Sequence, residues 1–381
     1  MEGRAALDAF ALDPATLHLN HGSYGACPNS VLAEQARLRA RMEANPNRFF
    51  FEDYPPAVRA AAVIAADRFG GAAGEWVFVE NATSAVNGVL DSLVLEAGDV
   101  LVTTSHAYGA VTKAMRRRAG QSGAEMRVAE LPAPIDSEDQ IVALVEKALC
   151  PRTKLLVVDH VSSPTATIFP AARIAALARA AGVPVFIDGA HAPGQLTLDV
   201  PGLEADWYTA NAHKWLFAPR GCGLLWTAPA RLGATHPSVT SHGWGGGYTV
   251  EFDWIGTRDV TAWLALGAAC DAHDRFGGPR LMTRNRALAA DAGEILAKRL
   301  RAVPSAPAAM RGAMTALRLP AKAHADAALS LRRRLSAEHG IEVPVFVFQD
   351  ALWVRVSAQI YNEIVDYERL SDVLVDVLSV G

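Results

Sequence analysis

The sequence has few cysteines and no pattern that pairs them. Cys27, Cys150, Cys222 and Cys270 are scattered over 381 residues, and none forms a C-x-x-C pair. A disulfide framework and a zinc site therefore have no support in the sequence. We expect a reducing compartment, with the cytoplasm as the default location.

Long apolar runs and long basic runs are also missing. No apolar stretch approaches the roughly 20 residues that a membrane-spanning helix needs. Residues 1–13 lack the apolar core of a signal peptide. The triplets Arg116–Arg118 and Arg332–Arg334 lie in segments of helical pattern, where such runs are usually a solvated face. We expect neither a membrane partner nor a nucleic-acid partner.

A glycine loop of the nucleotide-binding type is absent as well. The stretch Gly70-Gly71-Ala-Ala-Gly74 precedes a predicted strand instead of following it. It matches neither G-x-G-x-x-G nor G-x-x-x-x-G-K-S/T, so an NAD- or ATP-binding protein is a weak alternative.

Alternation of helix and strand is the main pattern that the sequence does contain. The chain is 51% apolar and 20% charged, which is the balance of a globular protein with a sizeable core. The runs 155–158 and 183–187 are apolar at consecutive positions, which is typical of strands covered on both faces. These features predict an α/β fold with a mostly parallel sheet sandwiched between helices.

The pattern changes past about residue 260. Before that point we predict strands at 75–80, 99–104, 125–131, 154–161, 183–188, 206–210 and 223–227. After it we predict helices near 261–276 and 280–302, a connector at 302–309, a strand at 314–319, a helix near 323–338, strands at 345–348 and 352–356, and a final helix. We therefore expect a large domain at residues 21–260 and a smaller α/β domain from residues 1–20 and 261–381.

Polar clusters follow the predicted strands at the points where they end. Ligands of open parallel sheets bind beyond the carboxyl ends of the strands, so these clusters predict a site at that edge. Packing alone does not explain five such clusters at one edge. They are Asn81 to Ser84, Ser105 to Tyr108, His160 to Pro164, Asp188 to His191, and Asn211 to Trp215.

Two residues in these clusters have distinctive chemistry. Asp188 ends an apolar strand, so its carboxylate is expected to be buried and to need a partner. That partner is either a turn or helix N-terminus or the protonated nitrogen of a pyridine ring. Lys214 lies between His213 and Trp215, where desolvation would lower the pKa of its amine and make it a nucleophile.

The segments Asp188-Gly-Ala-His191 and Asn211-Ala-His-Lys214-Trp resemble two paired motifs of class V aminotransferases, which are fold-type I pyridoxal-phosphate enzymes. Further segments match in order along nearly the whole chain, and together they look most like the isopenicillin N epimerase-like branch. These segments are Asn20 to Gly25, Asn81 to Thr83, His160 to Thr165, Gly256 to Arg258 and Val354 to Ser357.

The resemblance implies that the cofactor is pyridoxal 5'-phosphate. It implies that Lys214 carries the cofactor as a Schiff base and then transfers the α-proton of the substrate. It also implies that Asp188 keeps the pyridine nitrogen protonated, so that the ring accepts electrons from the α-carbon. His191 would reach the phenolic oxygen of the cofactor, and Ser163 would contribute there.

The same resemblance assigns the remaining contacts of the cofactor. Either His106 or Tyr108 would stack on the ring opposite Lys214, and the family pattern points to His106. Thr257 would arrive from the second subunit, which implies a homodimer with a shared active site. The phosphate is expected to bind Asn81, Ala82, Thr83, Asn211 and His213.

Substrate contacts are also implied. A guanidinium is a natural bidentate clamp for a carboxylate, and the resemblance places the carboxylate-binding arginine at Arg355. Arg258 and Arg48 are candidates for a second acidic group. Asn20 and His21 are expected at the entrance of the site.

The sequence leaves the reaction at the α-carbon open. Epimerisation needs a second acid/base group opposite Lys214, and His106 and Tyr108 are the candidates. Cysteine desulfurases use a cysteine on a small-domain loop, and residues 340–355 contain none, which argues against that reaction. We expect an amino-acid epimerase first, with an aminotransferase or a carbon–sulfur lyase as alternatives.

A catalytically inactive regulatory or binding protein on the same fold is an alternative of another class. The intact set of Asp188, His191 and Lys214 speaks against it.

Overall fold

The computed structural model describes residues 2–321 and 324–379. Within these ranges the strands are β1 (Leu17–His18), β2 (Trp76–Val79), β3 (Val100–Thr104), β4 (Glu125–Ala129), β5 (Thr153–Asp159), β6 (Val185–Gly189), β7 (Trp207–Asn211), β8 (Gly223–Thr227), β9 (Val303–Pro304), β10 (Met314–Leu319), β11 (Ile341–Glu342), β12 (Val345–Phe348) and β13 (Ala351–Ser357).

The helices of the same ranges are α1 (His21–Tyr24), α2 (Asn29–Ala44), α3 (Pro46–Arg48), α4 (Tyr54–Phe69), α5 (Ala82–Ser92), α6 (Gly109–Ser122), α7 (Glu138–Ala148), α8 (Ala171–Ala180), α9 (Tyr248–Asp253), α10 (Thr261–Leu264), α11 (Leu266–Arg275), α12 (Pro279–Leu300), α13 (Ala325–His339) and α14 (Ile364–Ser379). A π-helical turn, Phe49–Asp53, joins α3 to α4.

The large sheet has seven strands in the order β2-β8-β7-β6-β5-β3-β4. Strand β8 runs antiparallel to both of its neighbours, and the other pairs are parallel. Its central strands are buried along nearly their whole length because they are apolar at successive positions. The carboxyl ends of β2, β5, β6 and β7 consequently meet at one edge of the sheet.

Helices cover both faces of this sheet. On one face, apolar side chains of α4, α7 and α8, such as Val58, Ile141 and Ile174, join a core cluster with the strands. On the other face, α5 and α6 contribute Val86 and Met115 to a second cluster. The sheet is therefore the middle layer of three, as the consecutive apolar runs predicted.

A second sheet lies in the C-terminal part of the chain. Its strands are antiparallel in the order β12-β13-β10-β9, and α12, α13 and α14 pack with it around a separate core. The N-terminal strand β1 pairs in parallel with β11, which attaches the start of the chain to this C-terminal unit.

The predicted fold class is confirmed, and the strand boundaries agree within one or two residues. Three local features differ from the predictions. The helix near 261–276 is divided into α10 and α11, and the connector at 302–309 contains the short strand β9. The helix near 323–338 begins at Ala325, while Ala323 lies outside the described residues.

No helix among the described residues is long and apolar enough to cross a membrane.

Candidate active site

A cavity of about 450 Å³ opens where the strands of the large sheet end, a size typical of small-molecule sites. Each side of the cavity comes from a different strand end, as expected for an open parallel sheet. The residues that line it are Ser23, Tyr24, Asn81, Ala82, Thr83, Ser84, Tyr108, Asp159, Val161, Ser163, Asp188, Ala190, His191, Asn211, His213 and Lys214.

The N-terminus of α5 forms one wall. Asn81 caps this helix, and its side-chain oxygen accepts a hydrogen bond from the amide of Ser84 at 3.1 Å. The side chain of Asn211, at the end of β7, accepts from the amide of Ala82 at 2.9 Å. Gly223 permits this close packing, since a Cβ there would lie 2.7 Å from the Cα of Asn81. The wall presents the hydroxyls of Thr83 and Ser84 at a helix N-terminus, which favours an anion.

Lys214 and His191 meet inside the cavity. The Nζ of Lys214 lies 3.1 Å from Nε2 of His191, and the indole of Trp215 donates to Nδ1 of the same ring at 3.4 Å. With Nδ1 accepting, Nε2 carries the ring proton and donates to Nζ, which is the arrangement of a neutral amine. Burial lowers the pKa of Lys214 to about 8; Asp188 and Asp159 oppose this shift and Arg355 adds to it. The unprotonated amine, which is the nucleophilic form, is therefore reached at a lower pH than in an ordinary lysine.

Asp188 lies at the end of β6 and is 5% exposed. Its Oδ1 accepts a hydrogen bond from the amide of Ala190 at 2.9 Å. Burial raises the pKa of this carboxyl, while the Ala190 donor and Lys214 favour its ionised form. A buried carboxylate with few donors is suited to a cationic partner.

Arg355, on β13 of the small sheet, lies behind the cavity wall and contacts two residues that line it. Its Nη1 donates to the carbonyl and hydroxyl oxygens of Ser163 at 2.5 and 3.2 Å, and Nη2 donates to Oγ of Ser23 at 3.1 Å. Ser23 in turn donates to Oδ1 of Asn20 at 2.5 Å. The Nε of Arg355 is buried without a hydrogen-bond partner among the described residues. Arg355 thus keeps a free donor beside the cavity.

His106 and Tyr108 occupy different environments. Tyr108 lines the cavity and is 48% exposed. His106 is fully buried between Phe169 and Phe348, and its Nδ1 lies 3.0 Å from the hydroxyl of Thr165. The expectation that His106 contacts the cofactor is therefore not supported by its position, because the loop after β3 turns that side chain into the core.

The predicted residues Asn20, His21, Arg258 and Arg48 also lie outside the cavity wall. Asn20 reaches it only through Ser23, and the buried ring of His21 hydrogen-bonds the carbonyl of Lys214 at 2.9 Å. The guanidinium of Arg258 is paired with Glu80 and lies 4.4 Å from the ring centre of Trp263. Arg48 is exposed on α3 near Glu52.

Thr257 lines an exposed groove and is not part of the wall of this cavity. The groove has a volume of about 750 Å³ and is largely apolar. Its lining residues are Pro46, Asn47, Phe50, Phe51, Pro55, His242, Trp254 and Thr257.

Sequence reasoning missed three residues of the cavity. Asp159 ends the buried strand β5 as Asp188 ends β6, so the same signal could have found it. Ser23 and Tyr24 lie on the short helix α1, within the segment Asn20 to Gly25 that carries the resemblance, but only Asn20 and His21 of that segment were predicted at the site.

The cavity fits the three polar parts of pyridoxal phosphate. The N-terminus of α5 fits the phosphate, the buried carboxylate of Asp188 fits the ring nitrogen, and the amine of Lys214 fits the aldehyde. The fold and these residues define a fold-type I pyridoxal-phosphate enzyme.

Comparison with known proteins specifies the class further. Residues 57–370 match the family model described as aminotransferase class-V, and the chain belongs to this family. The isopenicillin N epimerase of Amycolatopsis lactamdurans is 36% identical, with 97% of each chain covered. An L-cysteine desulfhydrase of Arabidopsis thaliana is 29% identical, covering 94% of this chain and 87% of the relative.

Solved structures share the fold at lower identity. The apo cysteine desulfurase of Thermococcus onnurineus NA1 superposes with a TM-score of 0.80 at 18% identity, covering 100% of this chain and 99% of that one. The cystine C–S lyase C-DES, in complex with cysteine persulfide, has a TM-score of 0.79 at 20% identity, covering 95% and 97%.

Proposed function

We propose that this pyridoxal-phosphate enzyme moves the α-proton of an amino acid between two side chains, Lys214 and Tyr108, and so epimerises the α-carbon. The observation that carries the proposal is that both side chains line one cavity from different elements. An amine and a phenol are both competent acid/base groups when held against the substrate. The epimerase relative, aligned over nearly the full length of both chains, supports this reaction.

The residues would hold the cofactor as follows. Lys214 would bind it covalently through Nζ, Asp188 would pair with the ring nitrogen, and His191 and Ser163 would contact the phenolic oxygen. The N-terminus of α5, with Asn81, Ala82, Thr83, Asn211 and His213, would hold the phosphate. When bound, the cofactor supplies an electron sink for the carbanion at the α-carbon.

Arg355 holds the substrate carboxylate in this proposal. Its Nε has no hydrogen-bond partner in the part of the chain that the structure describes, and its two Nη atoms donate to Ser163 and Ser23. A fixed, partly desolvated guanidinium suits a carboxylate, because its planar donors match the two oxygens.

A carbon–sulfur lyase acting on cysteine is the second candidate. Among the described residues, the lysine or arginine on the cavity wall is Lys214. Arg355 lies behind the wall, where it contacts Ser163. A second carboxylate on the substrate would therefore have no cationic partner from this chain, which favours a small, uncharged side chain. The desulfhydrase relative supports this candidate.

We further propose that two copies of the chain form a dimer through the groove that contains Thr257. Phe51 in this groove is 83% exposed, and such an apolar surface is more usual at an interface than in solvent. Occupation by a second copy would place Thr257 at the partner's phosphate site.

We also propose that the chain has a large domain at residues 21–260 and a small domain made of residues 1–20 and 261–381. We propose a cytoplasmic location, which suits the four unpaired cysteines.

Assays with single amino acids in deuterated water separate the candidates. An epimerase exchanges the α-hydrogen and converts L- to D-enantiomers without other products, which NMR and chiral chromatography measure. A lyase instead converts L-cysteine and water to sulfide, pyruvate and ammonia. The proposed function would be contradicted if no amino acid tested showed either α-hydrogen exchange or product formation.

A further inference from the structure

Asp159 lines the cavity without an assigned task. It is the last residue of β5 and is 3% exposed. Apart from its own backbone amide, its carboxyl has no hydrogen-bond partner among the described residues. Buried polar groups are normally satisfied, so a carboxyl of this kind aimed into a cavity needs an explanation.

Asp188 is the register partner of Asp159. Strands β5 and β6 are parallel neighbours, and Asp159 pairs with Asp188 at their carboxyl ends. Register partners on adjacent strands are about 4.8 Å apart in the backbone and project to the same face of a sheet. Both side chains line the same cavity, so two carboxyl groups lie side by side in a buried place.

Ionising both of two adjacent buried carboxyl groups costs much free energy, because the two negative charges repel each other and neither is hydrated. Burial raises the pKa of Asp159 well above its ordinary value, and Asp188 raises it further. Asp188 has the Ala190 amide as a donor to its anion, whereas Asp159 has no donor from another residue. The proton therefore belongs on Asp159.

The charged groups around the pair come from other elements. Lys214, in the loop after β7, favours the ionised form of both carboxyls. Arg355, on β13, acts on Lys214 and on His191. His191 is kept neutral, since burial lowers its pKa well below the ordinary value. Tyr208 remains a neutral phenol because burial raises its pKa.

We propose that Asp159 is a neutral carboxylic acid that shares one proton with Asp188, so that this end of the cavity carries a single negative charge. A single charge is what one protonated pyridine nitrogen neutralises. Asp159 is then a positioning residue, which keeps Asp188 as the lone anion opposite that nitrogen. The identity of the ligand rests on the proposed function, whereas the shared proton belongs to the chain with or without the ligand.

Infrared spectroscopy of the full chain, before and after cofactor removal, tests the shared proton. We expect a protonated-carboxyl stretch near neutral pH that is lost in Asp159→Asn, which has nearly the same shape. The matched control is Asp67→Asn, because Asp67 is exposed on α4, and the band should persist there. No band in the unmodified chain, or a band that survives Asp159→Asn, would overturn the proposal.

A second variant covers the case in which Asp159→Asn does not fold. Asp188→Asn removes the neighbouring charge, so the infrared band of Asp159 should titrate at lower pH than in the unmodified chain. A titration unchanged by Asp188→Asn would mean that the two carboxyls do not interact, which also contradicts the proposal.

The pH dependence of stability gives an independent readout on the cofactor-free chain. A carboxyl with a raised folded pKa contributes stability below its unfolded pKa of about 3.9 and loses it as pH rises through the folded pKa. As pH rises from about 3.9 to the folded pKa of Asp159, the unmodified chain loses this stability and Asp159→Asn does not. The Tm of Asp159→Asn minus that of the unmodified chain should therefore increase with pH, while the same difference for Asp67→Asn stays constant. A constant difference across the window would overturn the proposal.

These readouts are separate from the test of enzyme function. They need neither cofactor nor substrate, so a failed carboxyl test leaves the amino-acid assays to judge the reaction. Conversely, an inactive enzyme with an intact infrared band would retain the shared proton and lose the proposed function.

Discussion

The amine of Lys214 lies 3.1 Å from Nε2 of His191, whose other nitrogen accepts a hydrogen bond from Trp215. The indole determines which ring nitrogen carries the proton, and the ring then meets the amine as a donor. Lys214 and its chain neighbour Trp215 are thus linked through a residue that follows a different strand.

Replacing Lys214 with alanine should abolish turnover while leaving the fold intact. Loss of a positioned acid/base group costs about 10²- to 10⁴-fold in rate, and loss of the covalent attachment adds to this. The checks are kcat, visible absorbance of bound cofactor and circular dichroism. Lys113→Ala is a matched control, because Lys113 is exposed on α6. Full activity of the Lys214 variant would remove this residue from the mechanism.

Trp215→Phe should raise the pKa of Lys214 above about 8, its value in the unmodified chain. Without the indole donor, His191 can carry its proton on Nδ1 and accept from the ammonium at Nε2, which stabilises the charged amine. The rate of covalent cofactor capture should then rise with pH at a higher midpoint.

The control for this variant is Trp263→Phe. The indole of Trp263 donates to the carbonyl of Gly221, outside the cavity. A midpoint that moves equally in both variants, or in neither, would contradict the role of Trp215.

Tyr108→Phe should reduce activity and leave stability nearly unchanged, whereas His106→Gln should reduce stability. The first removes a hydroxyl from the cavity wall and should lower the rate of epimerisation by about 10²- to 10⁴-fold with little change in stability. The second disturbs a buried hydrogen bond to Thr165 and should reduce the free energy of unfolding by about 1–3 kcal/mol. Chemical denaturation and chiral assays measure the two effects, and a reversed pattern would return His106 to the site.

Arg355→Ala should weaken amino-acid binding far more than cofactor binding. A hydrogen bond to a charged group contributes about 1.5–3 kcal/mol, so KM should rise by about ten- to a hundredfold. An amino-acid amide, which lacks the carboxylate, is the control substrate and should lose little. Unchanged KM for the free acid would exclude Arg355 from substrate binding.

Phe51→Glu should shift the chain from dimer to monomer and reduce cofactor binding. A buried unpaired carboxylate would oppose closure of the groove, and Thr257 would no longer reach a partner. Analytical ultracentrifugation gives the oligomeric state. Val94→Glu is the control, because Val94 is 87% exposed outside the groove. A monomeric unmodified chain would contradict the shared active site.

Much of the site was predictable from local patterns. A strand that is apolar at successive positions must be covered on both faces, so its end can be located, and polar residues there are candidates for a site. Asp188, His191, Asn211, His213 and Lys214 were found in this way, and all five line the cavity. The second carboxyl, Asp159, carried the same signal without being recognised.

The sequence by itself determined the order of helices and strands, the family, the cofactor, and the lysine and aspartate at the strand ends. It did not determine which of His106 and Tyr108 enters the cavity, since both follow β3 within four residues and packing against Phe169 and Phe348 buries the first. The tertiary structure also brought Asp159 beside Asp188 and Arg355 to Ser23. These contacts join residues from 29 to 332 positions apart, and their geometry depends on strand register and domain packing, which local periodicity does not encode.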